Sequence, residues 1–226
     1  LAHEYLNQHW TPTYFHQVEQ QLREAKLTYA CQAHLLSHLD FLELGPGQVE
    51  YLRSIESPTL RETVRDFLCN RQFRRDLYVK GPARLSSAEQ RQRLLRFAFA
   101  LRVPARSICL TVSAALGQAD LEPKLYGEVI AKLQSNLARA TTLQEFISDA
   151  ELGRHGFGRI YQALFMLVAK GDVAVVGEVA TGRDQRPGTE RLNAWLLDQA
   201  TRNLGLPMLL DPVTRGELQI EQVEQL

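Results

Sequence analysis

Signals that start helices recur along the chain, and they constrain its fold more than any other feature. Proline suits the first position of a helix, because that position needs no N–H donor. Ser or Thr followed three residues later by Glu satisfies two free backbone donors. The chain carries six such signals: Thr11-Pro12, Gly45-Pro46, Ser57-Pro58, Ser86 with Glu89, Pro123, and Thr142 with Glu145. Apolar residues follow most of them at spacings of three and four, so we predict a mainly helical protein.

Short strands are predicted between the helices. Apolar residues alternate with polar or small ones in Leu27–Cys31 and again in Leu95–Val103. The alternation resumes in Ile108–Val112, after an intervening proline, which predicts a β-hairpin or two neighbouring strands. A helix over Leu94–Leu101 stays open as the alternative. The predicted fold class is α+β, mainly helical.

The last hundred residues have a recognisable order of elements. Helices are predicted from Pro123, from Thr142 and over Phe157–Lys170, and the apolar strand Val173–Val176 follows. A polar stretch rich in glycine and arginine, Gly177–Gly188, comes next. Three helices, a strand and a polar stretch that serves as the wing are typical of a winged-helix domain.

These elements predict two domains. Residues 1–84 form a mainly helical first domain, and residues 85–226 combine the β-hairpin with a winged-helix-like part. The second domain ends with a long helix that carries Trp195 and with two terminal strands, Met208–Leu210 and Glu217–Ile220.

Composition is that of an ordinary globular protein, with 45% of the 226 residues hydrophobic and 23% charged. No apolar run approaches the roughly 20 residues of a membrane-spanning helix, so we expect no membrane partner. The three cysteines lie far apart and form no CxxC pair, which favours a reducing, cytoplasmic location. The sequence begins at Leu1 without methionine, and we interpret it as a fragment of a longer protein.

Charge is unevenly distributed although the net charge is zero. Residues 1–70 carry five basic and nine acidic side chains, residues 71–106 carry ten and two, and residues 107–226 carry eleven and fifteen. The middle segment, the basic block, has enough positive charge to bind phosphate or an acidic protein surface. We favour the alternative that it faces the acidic residues on either side of it.

The winged-helix order suggests DNA binding, but the chemistry of the third helix argues against it. Arg159 and Lys170 are its basic residues, while Glu145 and Asp172 lie close in sequence. Base and phosphate contacts need more positive charge than this. We therefore disfavour nucleic acid as a partner.

Motifs that would indicate a complete enzyme fail on their context. The string FLELGPGQ, Phe41–Gln48, is similar to the first motif of S-adenosylmethionine methyltransferases, in which a strand leads into a glycine-rich turn. The third glycine is missing, and Ser57–Asn70 has a helical pattern where a second strand should follow. The GxxGxG of Gly153–Gly158 follows no strand and is interpreted as a break between helices. We predict no catalytic and no cofactor-binding residue in this chain.

Two further groups of residues leave alternatives open. His34 and His38 have the spacing of metal ligands on a helix, but a third ligand is missing, so we favour an exposed or hydrogen-bonded pair and predict no metal site. The aromatic residues Trp10, Tyr14, Phe15 and Tyr29 can line a substrate mouth, although packing in a core is favoured.

Three parts of the first 80 residues resemble the methyltransferase regulatory domain family: His3–Leu36, Leu60–Gly81, and the spaced Leu39, Leu42, Leu44 and Gln48. In this family the region follows the catalytic Rossmann domain of bacterial S-adenosylmethionine-dependent methyltransferases that are similar to protein lysine methyltransferases. The resemblance implies that S-adenosylmethionine binds to a catalytic domain outside this chain.

The resemblance makes the chain a non-catalytic region that regulates a methyltransferase or positions its protein substrate. The implied partners are the catalytic domain of the same polypeptide and a protein substrate, with a homodimer left open. Six residues are candidates for contact with a partner or substrate: Trp10, Tyr14, Phe15, Arg71, Arg74 and Arg75. The alternatives are a nucleic-acid-binding winged-helix regulator and a structural or dimerisation module without a ligand.

Overall fold

The computed structural model describes residues 11–114, 116–176, 186–202, 208–214 and 216–219. The chain divides into two compact units: unit 1 comprises Leu1–Arg84 and Ser113–Ala119, and unit 2 comprises Leu85–Val112 and Asp120–Leu226. The predicted α+β class, mainly helical, is confirmed. The predicted division into domains 1–84 and 85–226 stays a prediction.

Unit 1 is built from four α-helices, a 3-10 turn and a two-stranded sheet in its described part. In chain order the elements are α1 (Phe15–Glu24), β1 (Leu27–Gln32), a 3-10 turn (Leu35–His38), α2 (Asp40–Glu43), α3 (Pro46–Ser54), α4 (Pro58–Leu68) and β2 (Asp76–Lys80). The strands are antiparallel, and their register shifts between Tyr29 and Cys31.

Local signals set the ends of the unit 1 helices. The N–H of Leu60 donates to the hydroxyl of Ser57, 3.3 Å away, which caps α4 as the sequence predicted. Pro46 likewise stands at the start of α3. The helices bury Phe15, Leu42 and Leu52, each less than 5% exposed, so a small apolar core holds them together.

The elements that follow β2 belong to unit 2, except that the residues of one hairpin among them are divided between the units. In chain order they are α5 (Ser87–Arg96), β3 (Ala98–Leu101), a 3-10 turn (Ala105–Ser107), the hairpin β4 (Thr111–Ala114) and β5 (Gly117–Asp120), α6 (Pro123–Gln134), β6 (Thr141–Thr142), α7 (Leu143–Ile147), a 3-10 turn (Leu152–His155), α8 (Gly156–Lys170), β7 (Val173–Val176), α9 (Arg186–Arg202), β8 (Met208–Leu210) and β9 (Glu217–Gln219). The predicted terminal strands β8 and β9 pair with each other.

Strand β3 lies in the middle of a three-stranded sheet with the order β6–β3–β7. Phe99 pairs with Thr141 on one side and with Val175 on the other, and both neighbours are antiparallel to β3. The sheet and the helices around it enclose the core of unit 2, where Phe146, Ile160 and Leu164 are fully buried.

The sequence prediction for Leu95–Val103 and Ile108–Val112 was partly wrong. Helix α5 continues to Arg96, so the strand is confined to Ala98–Leu101. The residues after Pro104 do not pair with β3: β4 pairs with β5 instead. The predicted hairpin around Pro104 is therefore replaced by pairing of β3 with β6 and β7, which are distant in sequence.

The helix order of the predicted winged-helix part is present as α6, α7, α8 and then β7. Helix α8 ends at Gly171, whose φ of 84° is a left-handed conformation that glycine adopts at little cost. Of the predicted wing, residues 177–185 lie outside the described residues, and Arg186–Gly188 already belong to α9. A winged-helix-like second domain stays a prediction.

Among the described residues, none of the helices has both the length and the apolar character that a membrane span requires.

Candidate functional site

A cleft of about 710 Å³ opens in unit 1 beside the start of α1. Its walls are formed by residues 11–15, the end of α4, residues 70–74 and two side chains of β2, Asp76 and Tyr78. We call it the unit 1 cleft. It brings the start of the first described helix next to the segment that leads into β2.

Arg74 is held in the wall of this cleft by three carboxylates. Its Nε donates to Asp76 (2.9 Å), its Nη1 to Asp66 (2.7 Å) and its Nη2 to Glu62 (3.0 Å). The guanidinium carbon also lies 4.2 Å from the centroid of the Phe15 ring. Because the Arg74 side chain is only 13% exposed, these interactions are weakly screened by solvent.

Two more arginines extend the network. Arg71 donates to Glu43 (2.6 Å) and to the hydroxyl of Ser37 (3.0 Å). Arg65 donates to Asp40 at 2.7 Å. Arg71 and Arg74 thus pair with acidic residues of the preceding segment, which confirms the acidic-flank interpretation for these two members of the basic block.

Burial changes the proton affinity of the groups in this network. Burial raises the pKa of Asp66 above its ordinary value, although Arg74 and Arg71 act in the opposite direction. Burial also raises the pKa of Tyr29, and the Glu62 carboxylate adds to this effect. Tyr29 is therefore a neutral hydroxyl near neutral pH, and it donates to Glu62 at 3.2 Å. Asp66 must be ionised to pair with Arg74, and its raised pKa makes this pairing more sensitive to acid than that of an ordinary aspartate.

Exposed aromatic rings line the mouth of the unit 1 cleft. Tyr14 is 55% exposed, Phe67 is 64% exposed and Phe73 is 88% exposed. The rings of Tyr14 and Phe67 lie with their centroids 5.5 Å apart. Large apolar rings grouped at the surface next to a cleft are a common mark of a binding surface.

The structure brings four of the six predicted contact residues to this cleft: Tyr14, Phe15, Arg71 and Arg74. Phe15 is buried and supports the wall rather than facing solvent. Arg75 is exposed and is not among the lining residues, and its backbone carbonyl accepts from Ala33 N–H. Trp10 lies outside the described residues.

Phe67 and Phe73 were not predicted as contact residues. Phe67 follows the helical spacing of apolar residues in α4, a spacing that indicates core packing rather than exposure. Phe73 could have been found, because a phenylalanine between Gln72 and Arg74, in a segment without a helix or strand pattern, is not part of a periodic apolar face.

The basic residues of α8 are paired within unit 2. Arg159 forms an ion pair with Glu122, and Lys170 forms one with Asp172 at 3.0 Å. Neither pairing favours phosphate contacts by this helix.

The motifs judged incomplete in the sequence have structural roles. Phe41–Gln48 runs from α2 into the start of α3, and Gly45 precedes Pro46 at that helix start. The strand and turn that hold S-adenosylmethionine are not formed by these residues, so they do not fit this cofactor. Gly153–Gly158 lies where the 3-10 turn ends and α8 begins.

The two histidines are hydrogen-bonded, as favoured from the sequence. His34 Nδ1 lies 3.0 Å from the Ser37 hydroxyl, and His38 Nε2 lies 2.8 Å from the carbonyl of Gln32. Within the described residues no group of three or more His, Cys, Asp or Glu side chains is arranged to hold a metal ion.

A second cleft, of about 520 Å³, lies in unit 2. Residues 100–106, the end of α6 and two residues near β8, Asp211 and Val213, line it. Arg102 and Arg106 of the basic block are part of this lining and are exposed.

Residues 1–80 match the family described as "Predicted methyltransferase regulatory domain". The resemblance identified from the sequence is therefore confirmed over these residues.

Relatives extend this similarity along the chain. The chain is 31% identical over 226 residues to an uncharacterized protein of Synechocystis sp. and covers 44% of that protein. It is similar in fold to PKMT2 from Rickettsia typhi, with a TM-score of 0.54, 17% identity and coverage of 99% of this chain and 48% of PKMT2. For PKMT2 in complex with AdoHcy the TM-score is 0.56, the identity is 17%, and 99% and 47% of the two chains are covered. The chain thus spans less than half the length of these relatives.

Proposed function

We propose that the chain is a non-catalytic region of an S-adenosylmethionine-dependent methyltransferase that positions a protein substrate for lysine methylation. The observation that carries the proposal is the match of residues 1–80 to the methyltransferase regulatory domain family. The fold similarity to PKMT2, a protein lysine methyltransferase, supports the choice of substrate.

The geometry that methyl transfer requires explains how a region without catalytic residues can contribute to the reaction. A lysine amine must approach the methyl group in line with the bond that breaks, and holding two reactants in this geometry lowers the barrier by several kcal/mol. A binding surface on an accessory unit contributes to this by retaining the substrate near the catalytic domain. The unit 1 cleft, with its exposed rings and rigid arginine–carboxylate wall, is our candidate for that surface.

The test compares the product of the complete reading frame with a version from which residues 1–226 are deleted. We expect the deletion to leave S-adenosylmethionine binding intact and to reduce methylation of protein lysines, measured with radiolabelled methyl donor. Adding the separate chain back is expected to restore part of the activity, which controls for damage to the remaining polypeptide.

Two results would contradict the proposal. One is a deletion variant that methylates protein lysines as fast as the intact protein. The other is saturable, one-to-one binding of S-adenosylmethionine to the isolated chain, measured by calorimetry.

A further inference from the structure

We propose that the unit 1 cleft binds a basic side chain, that of lysine above all, within an extended segment of the protein substrate. This inference rests on the proposed function for its assumption that the ligand is a protein. The inference adds to the proposed function that the segment recognised by the cleft is basic.

The exposed rings supply the first part of the argument. Tyr14, Phe67 and Phe73 are all more than half exposed at the mouth of the cleft. The face of an aromatic ring attracts a cation. A lysine side chain can place its ammonium group over a ring face while its methylene stem packs against apolar surface.

The wall of the same cleft already holds a cation in this way. The guanidinium of Arg74 lies over the ring of Phe15 and donates to Asp66 and Asp76. Ring faces and carboxylates together therefore bind a basic group within unit 1. The exposed rings next to this wall can form the same cation–π contact with a basic group of a ligand.

Charge disfavours an acidic ligand. Carboxylates outnumber guanidinium groups by five to three in the connected network, whose members are Asp40, Glu43, Glu62, Asp66, Asp76, Arg65, Arg71 and Arg74. Two carboxylates and two arginines of this network line the cleft itself: Asp66, Asp76, Arg71 and Arg74. Both lining arginines are paired with carboxylates, and the net negative charge of the whole network repels an acidic segment or a phosphate.

The experiment measures binding without any methyl donor. Three pools of short fluorescent peptides share random uncharged flanks and differ in the central residue, which is lysine, its uncharged isostere norleucine, or glutamate. Fluorescence anisotropy with the full 226-residue chain is expected to show that the lysine pool binds about fivefold more tightly than the norleucine pool. The difference should shrink as salt is added.

Variants locate the binding site. Phe67→Ala and Phe73→Ala are expected to weaken binding of the lysine pool. Tyr51→Ala, which removes another exposed ring outside the cleft, should leave it unchanged.

Each other outcome overturns the inference. Equal affinity for lysine and norleucine would indicate an apolar occupant, tightest binding of glutamate an acidic partner, and binding to none of the pools a cleft that does not receive peptides. Because the deletion test above measures methyl transfer, its result can stand when this one fails, and the reverse also holds.

Discussion

The guanidinium carbon of Arg74 lies 4.2 Å from the centroid of the Phe15 ring, while its three nitrogens donate to carboxylates of Asp66, Asp76 and Glu62. One side chain thus joins the first described helix, α4 and β2. The arrangement is local to unit 1, and its removal should affect the stability of that unit directly.

Arg74→Ala is expected to destabilise the chain by about 3 kcal/mol, because three carboxylates lose the cation that compensates their burial. Arg74→Lys should recover only part of this loss, since an ammonium group cannot reproduce the planar fork and the stacking on Phe15. Urea denaturation followed by circular dichroism measures both. The control is Arg75→Ala, at an exposed neighbour, which is expected to change stability by less than about 0.5 kcal/mol. Equal effects at positions 74 and 75 would contradict the assigned role.

Thr142 caps α7, since its hydroxyl accepts the N–H of Glu145 and the Glu145 carboxylate accepts the N–H of Thr142 at 2.8 Å. Thr142→Ala should cost about 1 kcal/mol, because a backbone donor at the helix start loses its acceptor. Thr142→Ser keeps the hydroxyl and is expected to retain most of the stability. Thermal unfolding of the three proteins tests the cap, and an equal loss in both variants would refute it.

Glu145 contributes a stability that depends on pH. The hydrogen bond from Arg139, followed by those from Thr142, lowers the pKa of Glu145 from 4.5 to about 2. A lowered pKa means that folding favours the ionised form, so the contribution is complete above pH 4.5 and is lost as the pH falls towards about 2. Glu145→Gln should therefore be less stable than the parent chain at neutral pH and should approach it in acid.

Melting temperatures recorded from neutral to acid pH measure this difference. Glu50→Gln is the control, because the Glu50 carboxylate forms no ion pair within the described residues, and its difference from the parent should stay small throughout. A gap between the Glu145→Gln variant and the parent that does not narrow in acid would contradict the prediction.

Two glycines in unit 2 should respond to alanine in opposite directions. Gly171 has a φ of +84°, where a Cβ is strained, so Gly171→Ala is expected to cost about 1 kcal/mol. Gly127 lies inside α6 with open space around its missing Cβ, so Gly127→Ala should stabilise by about 0.5–1 kcal/mol through helix propensity. Chemical denaturation of both variants gives the signs, and matching signs would show that backbone conformation is not what distinguishes these positions.

Most helix starts were predictable from the sequence because the groups that cap a helix are adjacent to it in the chain. The prediction from Thr11-Pro12 was wrong, since α1 begins only at Phe15. Ser57, Ser86 and Thr142 all accept the backbone N–H three residues later, as their spacing indicated. Such a cap can be predicted without knowledge of any tertiary contact, because both of its partners lie within four consecutive residues.

The sheet of unit 2 could not be predicted in the same way. Ala98, Phe99 and Ala100 are all buried, because β3 lies between two other strands and is covered on both faces, so alternation does not mark its ends. Its partners Thr141 and Val175 are far along the chain, and no local pattern identifies them. The hairpin prediction around Pro104 assumed that neighbouring strands pair, which fails here.

The candidate site was predicted in part for a related reason. Tyr14 and Phe15 stood out as aromatic residues at a helix start, and Arg71 and Arg74 as members of a basic segment. That Glu62 and Asp66 would neutralise these arginines depends on how α4 packs, and the exposure of Phe67 and Phe73 depends on the same packing. The types of residue at the site were therefore predictable from the sequence, whereas their tertiary contacts and exposure were not.

The central place of β3 also has a practical side. Cleavage of the backbone by a protease anywhere between Leu101 and Thr141 would place the central strand β3 on one fragment and both of its partner strands on the other. The hydrogen bonds between these strands would still favour co-elution of the two fragments in gel filtration. A truncated protein that begins at Leu121 would lack β3, so β6 and β7 would lose the strand that lies between them. Anyone trimming this polypeptide for expression should therefore start the gene upstream of Ala98.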